Sequence, residues 1–224
     1  MKRIVYLIIS IGFVYSNLYG QIRPRASYFN IGYVSEKLKP EVLLDGEVAL
    51  KSKFGASLSK GRTYFLNDKP VAKMLYFGLD WSFIDLNYAS FKFDDVYHSP
   101  EGSPGELDYE DMDAIGIHKL ELGMQFGPSV HLSFKGGFSL STYIRYSPVY
   151  SMLYEDSDFS GGFGNFGTAG IAANYSAFAL GFENRWGTAK HNFYLDTEEL
   201  EGGGETEKQK LKLNGTRVFF SLKF

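Results

Sequence analysis

The side chains in this sequence best suited to acid–base chemistry at neutral pH are its four histidines, His98, His118, His131 and His191. His131 stands between Ser129 and Ser133, so a serine nucleophile and a histidine base lie within a few residues of each other. On a β-strand these three positions would share one face, the polar one. His98 and His191 fall in or beside predicted loops. We therefore predict that none of these side chains is catalytic. The alternative is a hydrolase that uses a serine and a histidine.

Carboxylates concentrate in residues 94–113, which hold eight Asp and Glu, two Pro and no Lys or Arg. Such oxygens could bind Ca²⁺, but the D-x-[DN]-x-[DN]-G spacing of an EF-hand is missing. Gly202-Gly203-Gly204 is not followed by the Lys-Ser/Thr of a phosphate-binding loop. We predict a solvated loop at residues 94–113, no metal site and no cofactor.

The first 20 residues have the organisation of a secretory signal peptide. Lys2 and Arg3 precede an apolar run over residues 4–14, and a short polar segment ends at Gly20. The run has 11 residues, well short of the roughly 20 that a membrane-spanning helix needs. We predict a signal peptide at residues 1–20, cleavage before Gln21, and one exported domain over residues 21–224.

Composition restricts what that domain can be. Without the first 20 residues, 21 of the 23 Lys and Arg remain against all 26 Asp and Glu, a formal charge of −5 that argues against nucleic acid as a partner. There is no cysteine, so neither a disulfide framework nor a lipoprotein anchor is possible. Aromatic residues make up 17% of the chain, and 25 Gly against 7 Pro favour strands over helices.

Period-two alternation predicts eight strands, because successive side chains of a strand point to opposite faces. They cover residues 28–34, 47–59, 75–93, 115–126, 130–144, 163–175, 178–186 and 215–224. Turns are predicted at residues 60–70, 127–129 and 174–177, with the Gly136-Gly137 pair as a bend inside the fifth strand. Longer loops are predicted at residues 35–41, 94–113, 148–162 and 196–208. The pattern predicts an all-β, antiparallel barrel.

The last strand gives the most specific signal. Thr216, Val218, Phe220, Leu222 and Phe224 form one face, whereas Arg217, Ser221 and Lys223 form the other, with Phe219 as the exception. A chain that stops on such a strand, at an aromatic residue, resembles the closing strand of small bacterial outer-membrane β-barrels. The resemblance implies an outer-membrane location, and it implies that the barrel assembly machinery recognises this strand.

The polar faces of the predicted strands carry charges of both signs: Asp80, Lys119, Glu121, His131, Lys135, Arg145, Glu183, Arg185 and Arg217. In a membrane barrel they would pair inside the lumen, whereas in a soluble barrel they would form the wetted surface. Aromatic residues near strand ends favour the membrane; they are Trp81, Phe83, Tyr88, Tyr146, Trp186 and Phe224. An eight-stranded barrel is filled by its own side chains, so we predict no diffusion pore.

The function that follows is a structural or surface-interaction role, with acidic loops outside and a side-chain-filled interior. The expected partners are outer-membrane lipids, lipopolysaccharide and the assembly machinery, and the barrel is expected to be a monomer. Two alternatives remain open. One is a membrane-embedded, lipid-modifying enzyme, and the other is a soluble, lipocalin-like barrel that binds an apolar ligand.

Overall fold

In the computed structural model, which describes residues 24–40, 50–92, 116–155, 158–194 and 206–224, eight antiparallel strands form a closed barrel. The strands are β1 (Ser27–Pro40), β2 (Leu50–Phe65), β3 (Leu75–Lys92), β4 (Gly116–Ser133), β5 (Phe138–Glu155), β6 (Asp158–Tyr175), β7 (Phe178–Tyr194) and β8 (Thr206–Lys223). The predicted all-β antiparallel barrel of eight strands is confirmed. The predicted signal peptide, the acidic segment 94–113 and Gly202-Gly203-Gly204 lie outside the described residues.

Antiparallel pairing of β1 with β8 closes the barrel. The ladder runs from Tyr28 opposite Lys223 to Pro40 opposite Leu211. Phe224 extends it, because the backbone N–H and C=O of Phe224 exchange hydrogen bonds with Ser27 at 3.0 and 3.1 Å. No helix within the described ranges is long and apolar enough to cross a membrane.

The strands are longer than the alternation pattern predicted. β1 includes most of the predicted loop at residues 35–41, and β2 continues through residues 60–65 of the predicted connector. The predicted loop at residues 148–162 is wrong: β5 extends to Glu155 and β6 begins at Asp158. Alternation fails there because inward and outward side chains are both apolar: Val149 and Leu153 are buried, whereas Tyr150 and Tyr154 are exposed.

The predicted turn at residues 127–129 is also wrong. Gly127, Pro128 and Ser129 lie inside β4, with one β4–β5 register on both sides, from Phe126 opposite Tyr146 to Ser129 opposite Tyr143. The chain reverses at a 3₁₀ turn, Lys135–Gly137, where Gly136 and Gly137 have φ of 82° and 80°. Glycine adopts positive φ without steric cost, so the Gly-Gly pair forms the turn and Lys135 belongs to the turn rather than to a strand.

A β-bulge in β3 changes which residues face inward. The register with β4 shifts between Ser82 and Asp85, and Phe83 and Ile84 both point outward. Before the bulge Asp80 and Ser82 are buried, and after it Asp85 and Asn87 are buried. The extra residue therefore places four polar side chains of one strand inside the barrel despite their mixed parity.

The two ends of the barrel differ. At one end, called the turn end here, lie the connections at residues 66–74, 134–137 and 176–177 together with Phe224. Asn67 organises the first connection: its Oδ1 accepts from Phe77 N at 2.8 Å, and its Nδ2 donates to Lys69 O at 2.7 Å. The opposite end, called the loop end, is where the described strands stop, at residues 40, 50, 92, 116, 155, 158, 194 and 206.

The outer wall of the barrel is mostly apolar over its middle and toward its turn end, with Lys60 and Arg62 of β2 as outward-facing exceptions. Its exposed side chains there include Ile31, Leu79, Trp81, Leu122, Phe126, Ile144, Ile171, Leu180, Phe182, Val218 and Phe220, each 40% exposed or more. The inner face of the same strands carries the buried charges. This polarity is the reverse of a soluble barrel and is the arrangement of a barrel in lipid.

Candidate functional site

The barrel interior holds a compact set of buried charges. Among the described residues it contains five carboxylates, from Glu36, Asp80, Asp85, Glu121 and Glu183, and four cations, from Lys119, Arg145, Arg185 and Arg217. They come from six strands, β1, β3, β4, β5, β7 and β8, and each is at most 5% exposed. Each paired side chain therefore links strands across the lumen.

The half of this network nearer the loop end is centred on Glu36 and Glu121. Lys119 Nζ contacts Glu36 and lies 3.2 Å from Glu121 Oε1, and Arg185 Nη1 contacts Glu121 and lies 3.5 Å from Glu36 Oε1. Asn87 Nδ2 donates to both carboxylates, at 2.6 and 3.1 Å. Two anions and two cations thus form a closed quartet, which offsets the cost of burying each ion.

The half nearer the turn end is centred on Glu183. Its carboxylate accepts from Tyr143 OH at 2.6 Å, lies 3.3 Å from Arg145 Nη1 and lies 3.1 Å from Arg217 Nη1. Arg145 also pairs with Asp80 at 2.8 Å, and Arg217 pairs with Asp85 at 2.9 Å. Arg145 stacks on the Tyr143 ring, with its Cζ 3.5 Å from the ring centroid.

Glycines that lie opposite aromatic residues leave room for the aromatic rings inside the lumen. Tyr143 is paired with Gly170, and Phe219 with Gly181. A Cβ built at either glycine would meet the ring of its partner, so these positions require a residue without a side chain. Gly170, in the Gly-rich β6, allows this close approach. Phe219, the exception in the last strand, is buried inside with Tyr143 and Ala172.

The interior becomes apolar toward the loop end. Eleven buried side chains form one cluster there: Leu38, Leu50, Ala89, Phe91, Ile117, Val149, Leu153, Phe166, Ala189, Leu211 and Leu213. They occupy inward positions near the loop-end termini of their strands. At the opposite end, a cavity of about 20 Å³ lined by Tyr28, Asp80 and His131 among others has room for a single water molecule.

The histidines do not assemble a catalytic site among the described residues. His131 contacts Ser141 Oγ at 2.7 Å and Ser129 Oγ at 3.0 Å, but all three are at most 3% exposed and face the lumen. A lipid on the outer wall cannot reach them. His191, expected in or beside a loop, faces inward on β7 near Ser160, while His118 faces outward and contacts Tyr88 OH at 2.8 Å. His98 lies outside the described residues.

Two of the five buried carboxylates were missed from the sequence. Glu36 lies in the segment predicted as a loop, and Asp85 follows the bulge that reverses the parity of β3. The predicted inward positions of Asp80, Lys119, Glu121, His131, Arg145, Glu183, Arg185 and Arg217 are those in the structure. No three His, Asp or Glu side chains converge to hold a metal ion in the part of the chain that the structure describes.

Comparison with known proteins identifies the fold. No family model matches the chain, and no curated protein sequence matches it. Among solved structures, the outer-membrane protease OmpT of Escherichia coli is 11% identical, with 93% of this chain and 100% of that chain covered and a TM-score of 0.51. Neisserial surface protein A is 13% identical, with 88% and 97% covered and a TM-score of 0.45.

The attachment invasion locus protein Ail of Yersinia pestis, solved with the heparin analogue sucrose octasulfate, is 14% identical, with 90% and 100% covered and a TM-score of 0.41. Identities this low bear on the fold alone. The polarity of the barrel is an independent observation, because its apolar outer wall encloses a charged interior. The likeness to OmpT therefore shows the fold, a closed antiparallel β-barrel, and the apolar outer wall around a charged interior is the arrangement of such a barrel in lipid.

Proposed function

We propose that the protein is a non-conducting outer-membrane barrel with a structural or surface-interaction role carried by its loop end. The observation that supports this most is the filled interior. Salt bridges join six strands in the middle of the lumen, and an apolar cluster follows toward the loop end. A solute would have to break buried ion pairs and displace packed side chains, so permeation is strongly disfavoured.

The connections support an orientation. Outer-membrane barrels place short turns in the periplasm and longer loops outside, so the loop end faces the exterior in this proposal. The connections at that end include the carboxylate-rich segment 94–113 and most of segment 196–207, which we propose as the surface available to external partners or, through divalent cations, to lipopolysaccharide. A closed barrel has no free strand edge, which is consistent with the proposed monomer.

The test of this function combines location with conductance. On fractionation of cells, the protein should sediment with outer membranes. The purified, folded barrel should change its gel mobility on heating, as folded barrels do. In a planar lipid bilayer it should give no steady conductance above background. A stable ohmic conductance from heat-modifiable protein would contradict the filled interior, whereas unmodified mobility and a soluble fraction would contradict the membrane location.

The proposed signal peptide makes a separate prediction. Protein purified from outer membranes should begin at or near Gln21, because the 11-residue apolar run is too short to anchor the chain. Mass spectrometry of the intact protein measures this directly. Membrane-embedded protein that retains Met1 would show that residues 1–20 are not removed.

We also predict that Phe224 matters more for assembly than for stability. Deleting Phe224 should lower the amount of inserted protein several-fold, because the proposed partner, the assembly machinery, recognises the end of β8. The folded barrel should lose little stability, because Phe224 is 56% exposed and terminal residues contribute few buried contacts. Outer-membrane levels and periplasmic degradation products give the measurement.

A matched control exists for Phe224. Phe178 is also an outward aromatic residue at the turn end, 52% exposed. Phe224→Ala should therefore reduce inserted protein, whereas Phe178→Ala should leave it near the wild-type level. Equal levels for the two variants would show that the terminal residue has no special role in insertion.

A further inference from the structure

The apolar outer wall reaches further toward the loop end on β5 and β6 than on the opposite side of the barrel. The outward-facing residues nearest the loop end of these two strands form what we call the hairpin wall: Tyr150, Met152, Tyr154, Phe159, Gly161 and Phe163. Its four aromatic side chains are 38 to 75% exposed, and none of the six residues is charged. An exposed apolar surface of this kind marks a contact with a membrane or with another molecule.

The hairpin wall is ordered by its strand register. Tyr150 is opposite Phe163, and Tyr154 is opposite Phe159. The Tyr150 and Phe163 rings contact edge to face, with their centroids 5.1 Å apart. A Cβ built at Gly161 would lie 2.4 Å from the Tyr150 hydroxyl, so the Tyr150 side chain extends over this glycine. The hairpin wall therefore presents aromatic surface across both strands.

Exposed lysines occupy the same level on the opposite side of the barrel. β1 and β2 lie four strands from β5 and β6 in the closed order of eight, so the two pairs face opposite directions. Lys39 on β1, Tyr150 on β5 and Phe163 on β6 each lie 12 residues from the turn-end residue of their strand. Lys51 on β2 lies 14 residues from that end, and Tyr154 on β5 lies 16. The outer surface is therefore charged on one side at a level where it is apolar on the other.

A row of outward polar side chains lowers the upper limit of the apolar wall on β7, β8 and β1. In the strand registers Asn184 is opposite Thr216, and Thr216 is opposite Ser35. These three residues lie six to eight residues from the turn-end residues of their strands, and at six and eight residues β5 carries Ile144 and Tyr146 instead. Polar side chains are costly to hold in hydrocarbon. The apolar wall therefore ends lower on this side than on β5 and β6.

We propose that acyl chains of the outer leaflet cover the hairpin wall to its end, so that the barrel is inclined with its β5–β6 side deeper in the membrane. The hairpin wall continues the lipid-facing wall, because the outward positions of β5 from Ile144 to Tyr154 hold no charged or amide side chain. At a strand tilt of about 40° this run is about 25 Å tall, the height of the apolar band of a membrane barrel. Tilting is a low-cost response to an apolar surface that does not match the bilayer. This inference rests on the proposed membrane location and orientation, and adds a lipid-contact surface to them.

The test uses the full mature chain, folded in vesicles of dimyristoylphosphatidylcholine, with a nitroxide label on one cysteine at a time. Y154C and F163C place the label on the hairpin wall, K39C and K51C place it on the opposite side, and L122C is the lipid-facing reference. Accessibility to a water-soluble nickel chelate should be at least about fivefold lower at Y154C and F163C than at K39C and K51C, because ions partition poorly into hydrocarbon. Accessibility to dissolved oxygen should be higher at Y154C and F163C.

The outcomes separate this inference from the proposed function. Equal nickel accessibility on the two sides, at a high or a low value, would overturn the inclined barrel while L122C remains protected. Nickel accessibility at L122C itself would contradict the membrane location instead. Each labelled variant is first checked for heat-modifiable gel mobility. If Y154C does not fold, M152C replaces it and should be protected from the nickel chelate in the same way.

Discussion

Replacing Leu122 by Arg should sharply reduce the amount of folded barrel in the membrane. Leu122 lies on β4, is 50% exposed and sits between the outward side chains Leu120 and Met124. An Arg on the lipid face near the bilayer midplane costs roughly 2 to 4 kcal/mol. That is a large part of a total stability of about 5 to 15 kcal/mol. Urea unfolding of the barrel in lipid vesicles, followed by gel mobility, measures the loss.

The matched control is Leu66→Arg. Leu66 is 75% exposed, but it lies in the turn between β2 and β3, outside the apolar band. In a membrane barrel Leu66→Arg should change stability by less than about 1 kcal/mol, whereas Leu122→Arg should not be tolerated. In a soluble barrel both positions are surface sites, so equal tolerance of the two substitutions would contradict the membrane account.

The second large effect concerns the buried ion network. Glu183→Leu should destabilise the folded barrel by about 3 to 5 kcal/mol, because removing one partner leaves buried charges uncompensated. Glu183 faces both Arg145 and Arg217 and accepts the hydrogen bond from Tyr143. The loss should appear as a lower urea midpoint of unfolding with an unchanged slope.

Thr168→Val is the control for the ion network. Thr168 also faces inward, is 0% exposed, and its Oγ1 has no hydrogen-bond partner among the described residues. Replacing its hydroxyl by a methyl of similar volume should leave stability unchanged or slightly higher. If Glu183→Leu were as harmless as Thr168→Val, the ion pairs would not be holding the interior together.

The fold could be predicted from the sequence because one physical rule dominates it. Where the barrel lies in lipid, apolar side chains alternate with polar ones, and period two identifies strand and face together. This rule placed Arg145, Glu183 and Arg217 inside and Phe220 outside, as the structure has them. The wrongly predicted turn at residues 127–129 did not change which side chains were predicted to face inward. The connection in the structure, residues 134–137, has four residues, so odd-numbered residues face inward on both sides of it.

The parts of the fold that could not be predicted are those where apolar and polar side chains no longer alternate regularly along the strand. Near the loop end apolar side chains point inward as well, so the alternation of Val149 and Leu153 with their tyrosine neighbours disappears and suggests a loop. The bulge at Phe83 and Ile84 changes the inward-facing residues of β3 from even-numbered to odd-numbered positions, and the composition of the strand does not change there. The inward position of Asp85 could therefore not be predicted from the alternation. Gly127-Pro128 suggested a turn because proline cannot donate to a ladder. In the structure Gly127-Pro128 lies inside β4, and the β4–β5 register is the same on both sides of it.

The central claim, that the apolar wall faces lipid, can be measured directly because the chain contains no cysteine. Single cysteines at Leu122, Ile144 and Leu180 would each carry a nitroxide label, with Leu66 as the water-exposed reference. In vesicles, the three wall positions should show high accessibility to dissolved oxygen and low accessibility to a water-soluble nickel chelate, with the opposite at Leu66. Nickel accessibility at Leu122, Ile144 and Leu180 equal to that at Leu66 would contradict the account.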